Sequence, residues 1–190
     1  MQKMKKKTYQ VADLPFTAVS SRDFVKEPPA EEIRKRIRQV IRKEAPVTEW
    51  LLIKRVINSF DIWKAGSSVQ VCMKDILDSM DLPRTAEYTG PVYWKKQEDA
   101  GSYADYRLFG KDDLACRDVM QVPTAEMANA VAAVLAAEGI LPYKQLVRKT
   151  AAMMGYTRMG TNVRSCMDYA VQYGVKKKII KEKKDGYVLK

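Results

Sequence analysis

The chain has 190 residues, with 34 Lys and Arg against 23 Asp and Glu, a formal net charge of +11, and no histidine. Without an imidazole the protein cannot use a Ser-His-Asp or Cys-His nucleophile system, a zinc site with histidine ligands or a histidine pH switch. Its hydrophobic fraction of 46% is typical of a globular protein, and its length suits one domain or two small ones.

The N-terminal 29 residues carry a lysine cluster and three prolines, Pro15, Pro28 and Pro29. This composition predicts an extended arm over residues 1–29 rather than a packed element. The opening residues are not followed by an apolar signal core, and the longest apolar run, Ala130 to Ala137, is too short to span a membrane. We therefore expect a cytoplasmic protein, and we expect the chain to be a piece of something larger.

The three cysteines, Cys72, Cys116 and Cys166, are isolated from one another, without a CxxC pair. This spacing favours neither a disulfide framework nor a four-cysteine metal site. Cys72 and Cys166 lie within apolar stripes at equivalent positions of two predicted helices, so we expect small buried hydrophobic side chains there rather than nucleophiles or ligands. We expect no metal and no cofactor.

The strongest regularity is an internal repeat, in which a shift of 94 positions aligns residues 32–80 with residues 126–174 without a gap. Eight of these 49 positions are identical, and apolar positions coincide throughout. The identical pairs are Glu32/Glu126, Val40/Val134, Glu44/Glu138, Leu52/Leu146, Gly66/Gly160, Val69/Val163, Cys72/Cys166 and Met73/Met167. This register predicts that one architectural unit occurs twice.

Each copy begins with a predicted amphipathic helix. Its apolar positions have the spacing i, i+4, i+7 and i+8, which places them on one helical face. They are Ile33, Ile37, Val40 and Ile41 in the first copy and Met127, Val131, Val134 and Leu135 in the second. A second helix follows in each copy, with Thr48 as its predicted N-cap after Pro46 in the first copy. In the second copy Gly139 is predicted to end the preceding helix and Pro142 to occupy the first helical position.

The third helix of each copy is predicted to start at a glycine turn, after Gly66 or Gly160, where hydroxyl or amide side chains are expected to cap it. Each copy then ends in a predicted β-hairpin with Gly90 or Gly186 in its turn. Three helices and a two-stranded hairpin within about 65 residues follow the order of elements in a winged helix, a helix-turn-helix variant whose hairpin is the wing.

The sequence thus predicts an α+β fold, mainly α, with two tandem winged-helix modules at residues 30–95 and 122–190. The connecting segment, residues 96–121, is charged and loop-like at both ends. It contains one strand-like stretch, Tyr103 to Phe109, in which Tyr and Leu alternate with polar residues. We expect this stretch to add a strand to the first wing.

Three segments carry a resemblance to a known family: residues 11–24, residues 44–60 with the pattern E-x-P-(I/V)-x-x-x-x-L, and residues 122–163 with the turn G-(Y/F)-x-R-x-G. Over nearly its whole length the chain resembles the domain of unknown function found at the C-terminus of large bacterial superfamily 1 helicase-like proteins. The resemblance implies a position C-terminal to an AAA-type helicase core, often beside a very-short-patch-repair-like nuclease domain. It also implies an ATP-dependent helicase as the full-length parent, while the shared motifs are packing and turn signatures without a catalytic residue.

The positive charge is concentrated in the second copy. Residues 121–190 hold 12 Lys and Arg against 5 Asp and Glu, a net of +7, whereas residues 1–120 hold 22 against 18, a net of +4. Candidate phosphate-binding residues surround the start of the third helix and the second wing, where such clusters attract nucleic-acid backbones by counterion release. They are Arg158, Thr161, Asn162, Arg164, Ser165, Lys176, Lys177, Lys178, Lys181, Lys183 and Lys184. The alternative is a solvated basic face that serves solubility only.

Sequence-specific readout is not expected from the third helices. Asp168 in the second copy and Asp75 in the first would be repelled by phosphates, and a cytosine amino group is the base-edge donor that would give a hydrogen bond to either carboxylate. The first copy presents the more neutral set Ser67, Ser68, Gln70, Val71 and Lys74. Because many winged helices dock onto proteins, the first copy could be a protein-interaction module.

Several aromatic side chains could stack on unpaired bases, but their positions at the ends of elements favour packing in the core or the wing. They are Trp50, Trp63, Trp94, Tyr88, Tyr93, Tyr103 and Tyr106.

Two enzyme classes are alternatives to these binding roles. A metal-dependent nuclease could be drawn from Asp168 with Glu182 and Lys184, but this Glu-x-Lys lies in a lysine-rich wing and the required central sheet is not predicted. An ATPase would need a phosphate-binding loop, and Gly110-Lys111 lacks both the preceding glycine and the following hydroxyl residue. Catalytic residues are therefore not expected.

The sequence predicts a non-catalytic nucleic-acid-binding accessory module, with DNA as its partner and without sequence specificity. The alternative is a winged-helix module that docks onto a helicase or nuclease core, in cis or in trans. Neither a membrane nor a small-molecule substrate is expected as a partner.

Overall fold

A computed structural model of the chain describes residues 4–96 and 101–190. Its fold is α+β and mainly α. The helices are α1 (Ser21–Lys26), α2 (Ala30–Glu44), α3 (Glu49–Asn58), α4 (Ser67–Asp78), α5 (Thr124–Glu138), α6 (Tyr143–Met153) and α7 (Thr161–Lys176). The strands are β1 (Lys5–Thr8), β2 (Val47–Thr48), β3 (Arg84–Glu87), β4 (Gly90–Tyr93), β5 (Asp105–Leu108), β6 (Ile180–Lys183) and β7 (Gly186–Leu189). Short 3-10 turns occupy Asp113–Ala115 and Val119–Gln121.

The described chain divides into two compact units. The N-terminal unit contains residues 10–86 and 90–96, and the C-terminal unit contains residues 4–9, 87–89 and 101–190. Each unit has its own apolar core. In the C-terminal unit α5 lies at the centre of that core, and most of its residues are buried. Within the described residues, no helix combines the length and the apolar composition that a membrane crossing requires.

The helices of the two copies begin at equivalent positions under the shift of 94 residues. Helices α2 and α5 share both ends, α3 and α6 begin at Glu49 and Tyr143, and α4 and α7 begin at Ser67 and Thr161. Thr48 caps α3 as predicted, since its hydroxyl accepts a hydrogen bond from the Leu51 amide at 3.4 Å. Gly139, with a positive φ of 78°, ends α5 as predicted.

The predicted side-chain caps of the two third helices are wrong. The N-caps of α4 and α7 are the glycines themselves, Gly66 and Gly160, and neither helix has a side-chain capping hydrogen bond. Both glycines adopt the extended backbone of an N-cap, and the following hydroxyl residues are already the first residues of the helices. The first-turn amides of both helices are therefore left without a side-chain acceptor from the cap.

Both predicted hairpins form, and each gains a partner that the sequence did not reveal. β3 pairs with β4 and β6 with β7, with positive φ at Gly90 and Gly186. In the N-terminal unit β2 pairs with β4, with Val47 opposite Tyr93. In the C-terminal unit Leu141 makes the equivalent bridge to Tyr187, with two backbone hydrogen bonds of 2.8 and 3.1 Å. The equivalence under the shift of 94 residues therefore extends beyond the aligned helices to Tyr93 and Tyr187 in the two hairpins.

The strand predicted within Tyr103 to Phe109 is present as β5, but its predicted place beside the first wing is wrong. β5 pairs in parallel with β1, with Lys5 opposite Asp105 and Thr8 opposite Leu108. The pairing is closed by hydrogen bonds from the Lys5 amide to Ala104 and from the Tyr9 amide to Leu108. The side chains of β1 are exposed, whereas the ring of the next residue, Tyr9, is buried against Arg107 and Arg117 and so holds β1 beside β5.

The N-terminal segment also differs from the predicted extended arm, because it contains β1 and α1. The Phe24 side chain of α1 is completely buried, and its ring meets that of Phe60 edge to face at 5.3 Å. Ser20 caps α1 by accepting from the Asp23 amide at 3.1 Å. Pro15 lies in the extended stretch before Ser20, and burial of the Phe24 ring anchors the segment that follows it.

Candidate nucleic-acid interface

The first cluster of candidate residues surrounds the start of α7. Arg158, Thr161, Asn162 and Arg164 are exposed, and Ser165 is half-buried. Because Gly160 provides no side-chain cap, the first-turn amides of α7 face outward with the positive end of the helix dipole. This end of the helix can donate hydrogen bonds to an anion and attract it with two guanidinium groups.

The second cluster lies at the end of α7 and on the β6–β7 hairpin. Its six lysines, Lys176, Lys177, Lys178, Lys181, Lys183 and Lys184, are exposed. Within residues 4–96 and 101–190, none of them forms a salt bridge with a carboxylate. The ammonium group of Lys177 lies 5.7 Å from the centre of the Tyr173 ring. The charge of this cluster is therefore available to an external anion.

The two clusters are separated by the length of a helix. Thr161 and Lys176 are 15 positions apart in the helix, so at 1.5 Å per residue the ends of α7 are about 22 Å apart. The predicted residues therefore lie around the two ends of α7 and on the β6–β7 hairpin, and not at one point. An elongated, polyanionic ligand fits this spacing better than a small anion does.

Asp168 lies on α7 between the two clusters and is half-buried. Its carboxylate accepts a hydrogen bond from the Tyr143 hydroxyl, and burial raises its pKa above the usual range. Asp168 is on a helix and Glu182 is on β6. Among the described residues, no group of three Cys, Asp or Glu side chains is arranged to hold a metal ion.

An aromatic pair that the sequence did not assign to the site covers part of α7. The rings of Tyr88 and Tyr169 are stacked, with centroids 3.8 Å apart and an interplanar angle of 15°. Tyr169 lies on the exposed side of α7, in line with Asn162, Ser165 and Lys176 at helical spacing. The only sequence signal was a tyrosine on a polar helical face. The middle of α7 is therefore partly occupied by protein.

A buried ion cluster in the same unit contains two arginines that were not among the candidate residues. The Glu126 carboxylate accepts hydrogen bonds from Arg107 Nη2 at 2.5 Å and from Arg117 Nη2 at 2.6 Å. The Tyr9 ring lies over both guanidinium groups, at 5.0 Å from Arg107 and 4.0 Å from Arg117. Burial alone would raise the pKa of Glu126, but the two arginines lower it to about 2. The cluster joins the connecting segment to the start of α5.

The comparisons with known proteins give one match. A family described as a protein of unknown function (DUF3320) matches residues 22–71, which run from α1 into the first half of α4. The comparisons with curated proteins and with solved structures found no significant match. The match supports the presence of a domain of unknown function in the N-terminal half of the chain.

Proposed function

We propose that the chain is a non-catalytic nucleic-acid-binding accessory module that holds the phosphate backbone of DNA. The observation that carries this proposal is the row of six exposed lysines at the end of α7 and on the β6–β7 hairpin, without a carboxylate partner in the described chain. Phosphates would replace the missing counterions, and the release of condensed cations from DNA would drive binding.

We further propose that each copy is a winged helix. In both copies three helices precede a hairpin, and the helices start in the same register. A helix-turn-helix followed by a hairpin provides a helix and a wing that can lie along one duplex. The arginines at the start of α7 and the lysines of the hairpin would then contact separate parts of the backbone.

The proposed contact does not read base sequence. A reading helix must place its central side chains against base edges in the major groove. On α7 the central position holds the Asp168 carboxylate, and Tyr88 covers the adjacent Tyr169. Backbone contacts from the two ends of α7 remain possible without moving either group.

The proposed setting is beside a helicase or nuclease core, in cis or in trans. Its support is the resemblance of the sequence to the C-terminal domain of helicase-like proteins. In that setting the module would keep DNA near the motor or the nuclease.

Salt-dependent binding tests the proposal. The fluorescence anisotropy of a fluorescein-labelled 20-base-pair duplex should report binding whose affinity falls by about 0.9 log units per contacted phosphate for each tenfold rise in salt. The triple variant Lys176→Glu, Lys177→Glu and Lys178→Glu should lose at least tenfold in affinity at about 0.15 M salt, where screening limits charges to about 8 Å.

A matched control carries Arg38→Glu, Arg42→Glu and Lys43→Glu, three exposed cations of α2 in the N-terminal unit. It changes the net charge by the same amount and should keep most of the affinity. Absence of DNA binding at low salt would contradict the proposal, and equal losses in both variants would contradict the assigned surface.

A further inference from the structure

The N-terminal unit contains a groove between α1 and α4. Two adjoining cavities of about 690 and 490 Å³ share Val25, Ser67 and Ser68 in their walls and so form one continuous depression, which we name the α1–α4 groove. The groove is independent of the lysine surface described above, because all of its lining residues belong to the other unit.

One end of the α1–α4 groove is strongly basic. Arg22 and Lys26 from α1 and Lys64 from the turn before α4 line it, and all three are exposed. Within residues 4–96 and 101–190, none of the three forms a salt bridge. The hydroxyl groups of Ser67 and Ser68 line the same end. This end is therefore complementary to carboxylate or phosphate groups.

The other end of the groove is mainly apolar. Val71, which is 57% exposed, Ile76 and Pro28 line it, and Asp75 is the carboxylate among its lining residues. The other apolar side chains of α4, Val69, Met73, Ile76 and Leu77, are buried, whereas Val71 leaves apolar surface that a ligand could remove from water. A fitting ligand must combine negative charge with apolar side chains.

We propose that the α1–α4 groove binds a segment of a partner protein in which acidic residues lie next to apolar ones. The acidic side chains would pair with Arg22, Lys26 and Lys64, and the apolar side chains would cover Val71. Nucleic acid fits less well, because a phosphate backbone has no apolar group for the Val71 end and the groove lining includes no aromatic ring for base stacking. The residues from Arg22 to Val71 are also the part of the chain that matches a family.

A selection of peptides tests this proposal on the full 190-residue chain. A phage-displayed library of random twelve-residue peptides is first depleted on the immobilised triple variant Arg22→Glu, Lys26→Glu and Lys64→Glu. The remaining phage are then panned on the immobilised wild-type protein and eluted with soluble wild-type protein. The peptides recovered should be enriched in Asp and Glu beside Leu, Ile, Phe or Val. Recovery of peptides without acidic residues would overturn the proposal.

The selected peptides, labelled with fluorescein, are then measured by anisotropy. The Arg22, Lys26 and Lys64 triple variant should weaken binding at least tenfold, whereas the control with Arg38→Glu, Arg42→Glu and Lys43→Glu, of equal net charge, should stay within twofold. Val71→Gln should weaken binding at least threefold without changing charge, and Val175→Gln, at an exposed valine of the other unit, should have no effect. Equal losses in a variant and its control would overturn the assigned site.

DNA binding is measured on the same variants. If the groove takes a peptide, its triple variant keeps the affinity for the duplex, and a duplex does not displace the peptide. If the groove variant instead loses DNA binding and keeps the peptide, the groove is a nucleic-acid site and the proposal is wrong. Because the two readouts are separate, failure of the lysine surface to bind DNA leaves the result for the groove unaffected.

Discussion

The two copies of the repeat share a backbone register but bury different charges. In the first copy Arg36 donates to the Ser59 carbonyl at 2.8 Å and lies over the Phe60 ring at 3.7 Å, while Glu32 beside it remains half-exposed. In the second copy Glu126, which is equivalent to Glu32, is fully buried between Arg107 and Arg117. The apolar face and the turn positions are sufficient to preserve the helices, so the charges are free to diverge.

The same divergence reaches the surface. In the second copy the third helix ends at Lys176 and is followed by five further exposed lysines, and within the described residues none of these six forms a salt bridge. In the first copy the third helix is flanked by α1 and the α1–α4 groove. The same order of helices and hairpin therefore carries a polycationic surface in one unit and a mixed basic and apolar groove in the other. Substitutions at equivalent positions of the two copies measure how much this difference in charge and surface contributes to stability and binding.

The largest expected difference concerns Glu126 and Glu32. Glu126→Gln leaves two buried guanidinium groups without their counter-charge, and the free energy of unfolding should fall by about 3–5 kcal/mol. Glu32→Gln, at the equivalent position, should cost far less, because its partner Arg36 keeps hydrogen bonds to Ser59 and Thr17. Urea denaturation of both variants measures the difference. Equal losses would show that the two positions carry the same role after all.

Acid sensitivity should follow from the same residue. The pKa of Glu126 is lowered from 4.5 to about 2 in the folded chain, so the folded state favours the ionised form. Its contribution to stability is present above about pH 4.5 and is lost as the pH falls towards 2. The melting temperature of the wild type should therefore fall more steeply between pH 4.5 and 2 than that of Glu126→Gln. Parallel curves for the two proteins would contradict this origin.

A smaller difference is expected between the two hairpin turns. Gly186 has a φ of 140°, and a Cβ there would overlap the Leu141 carbonyl that pairs with Tyr187. A Cβ on Gly90, with a φ of 101°, would meet open space. Gly186→Ala should therefore lower stability by about 2–3 kcal/mol and Gly90→Ala by about 1 kcal/mol. Thermal unfolding measures both, and a larger loss for Gly90→Ala would contradict the close approach.

The smallest expected effect concerns Tyr88. If DNA is held by the two ends of α7, then Tyr88→Ala, which uncovers Tyr169, should change the affinity for a duplex by less than about twofold. Anisotropy with two duplexes of unrelated sequence measures this effect. A clear gain for one sequence over the other would indicate that the uncovered middle of α7 reads bases.

The local part of this architecture could be predicted from the sequence. The gapless shift of 94 residues predicted equivalent helix starts, Thr48 predicted a cap, and Gly90 and Gly186 predicted the hairpin turns. These features depend on periodicity and turn chemistry within a few residues. The exposure of the lysines at the second hairpin also follows from local polarity.

The remaining features depend on contacts between residues distant in sequence. Nothing near Glu126 shows that Arg107 and Arg117 are its partners, and nothing near Lys5 shows that it lies opposite Asp105. Likewise, Tyr88 and Tyr169 are 81 positions apart. A charged or extended segment has no hydrophobic period that identifies its partner. The sequence therefore did not predict that the N-terminal segment and the connecting segment pack against the rest of the chain.

The pairing of β1 with β5 has a consequence for the order in which the protein forms. Lys5 leaves the ribosome 100 residues before Asp105, its partner in the parallel pair. The N-terminal unit, which lies between them in the sequence, can complete its core during synthesis, whereas the first strand must wait for the connecting segment. The beginning of the chain is thus among the last parts to reach its native place, and truncation of nine residues would impair the unit that is made last.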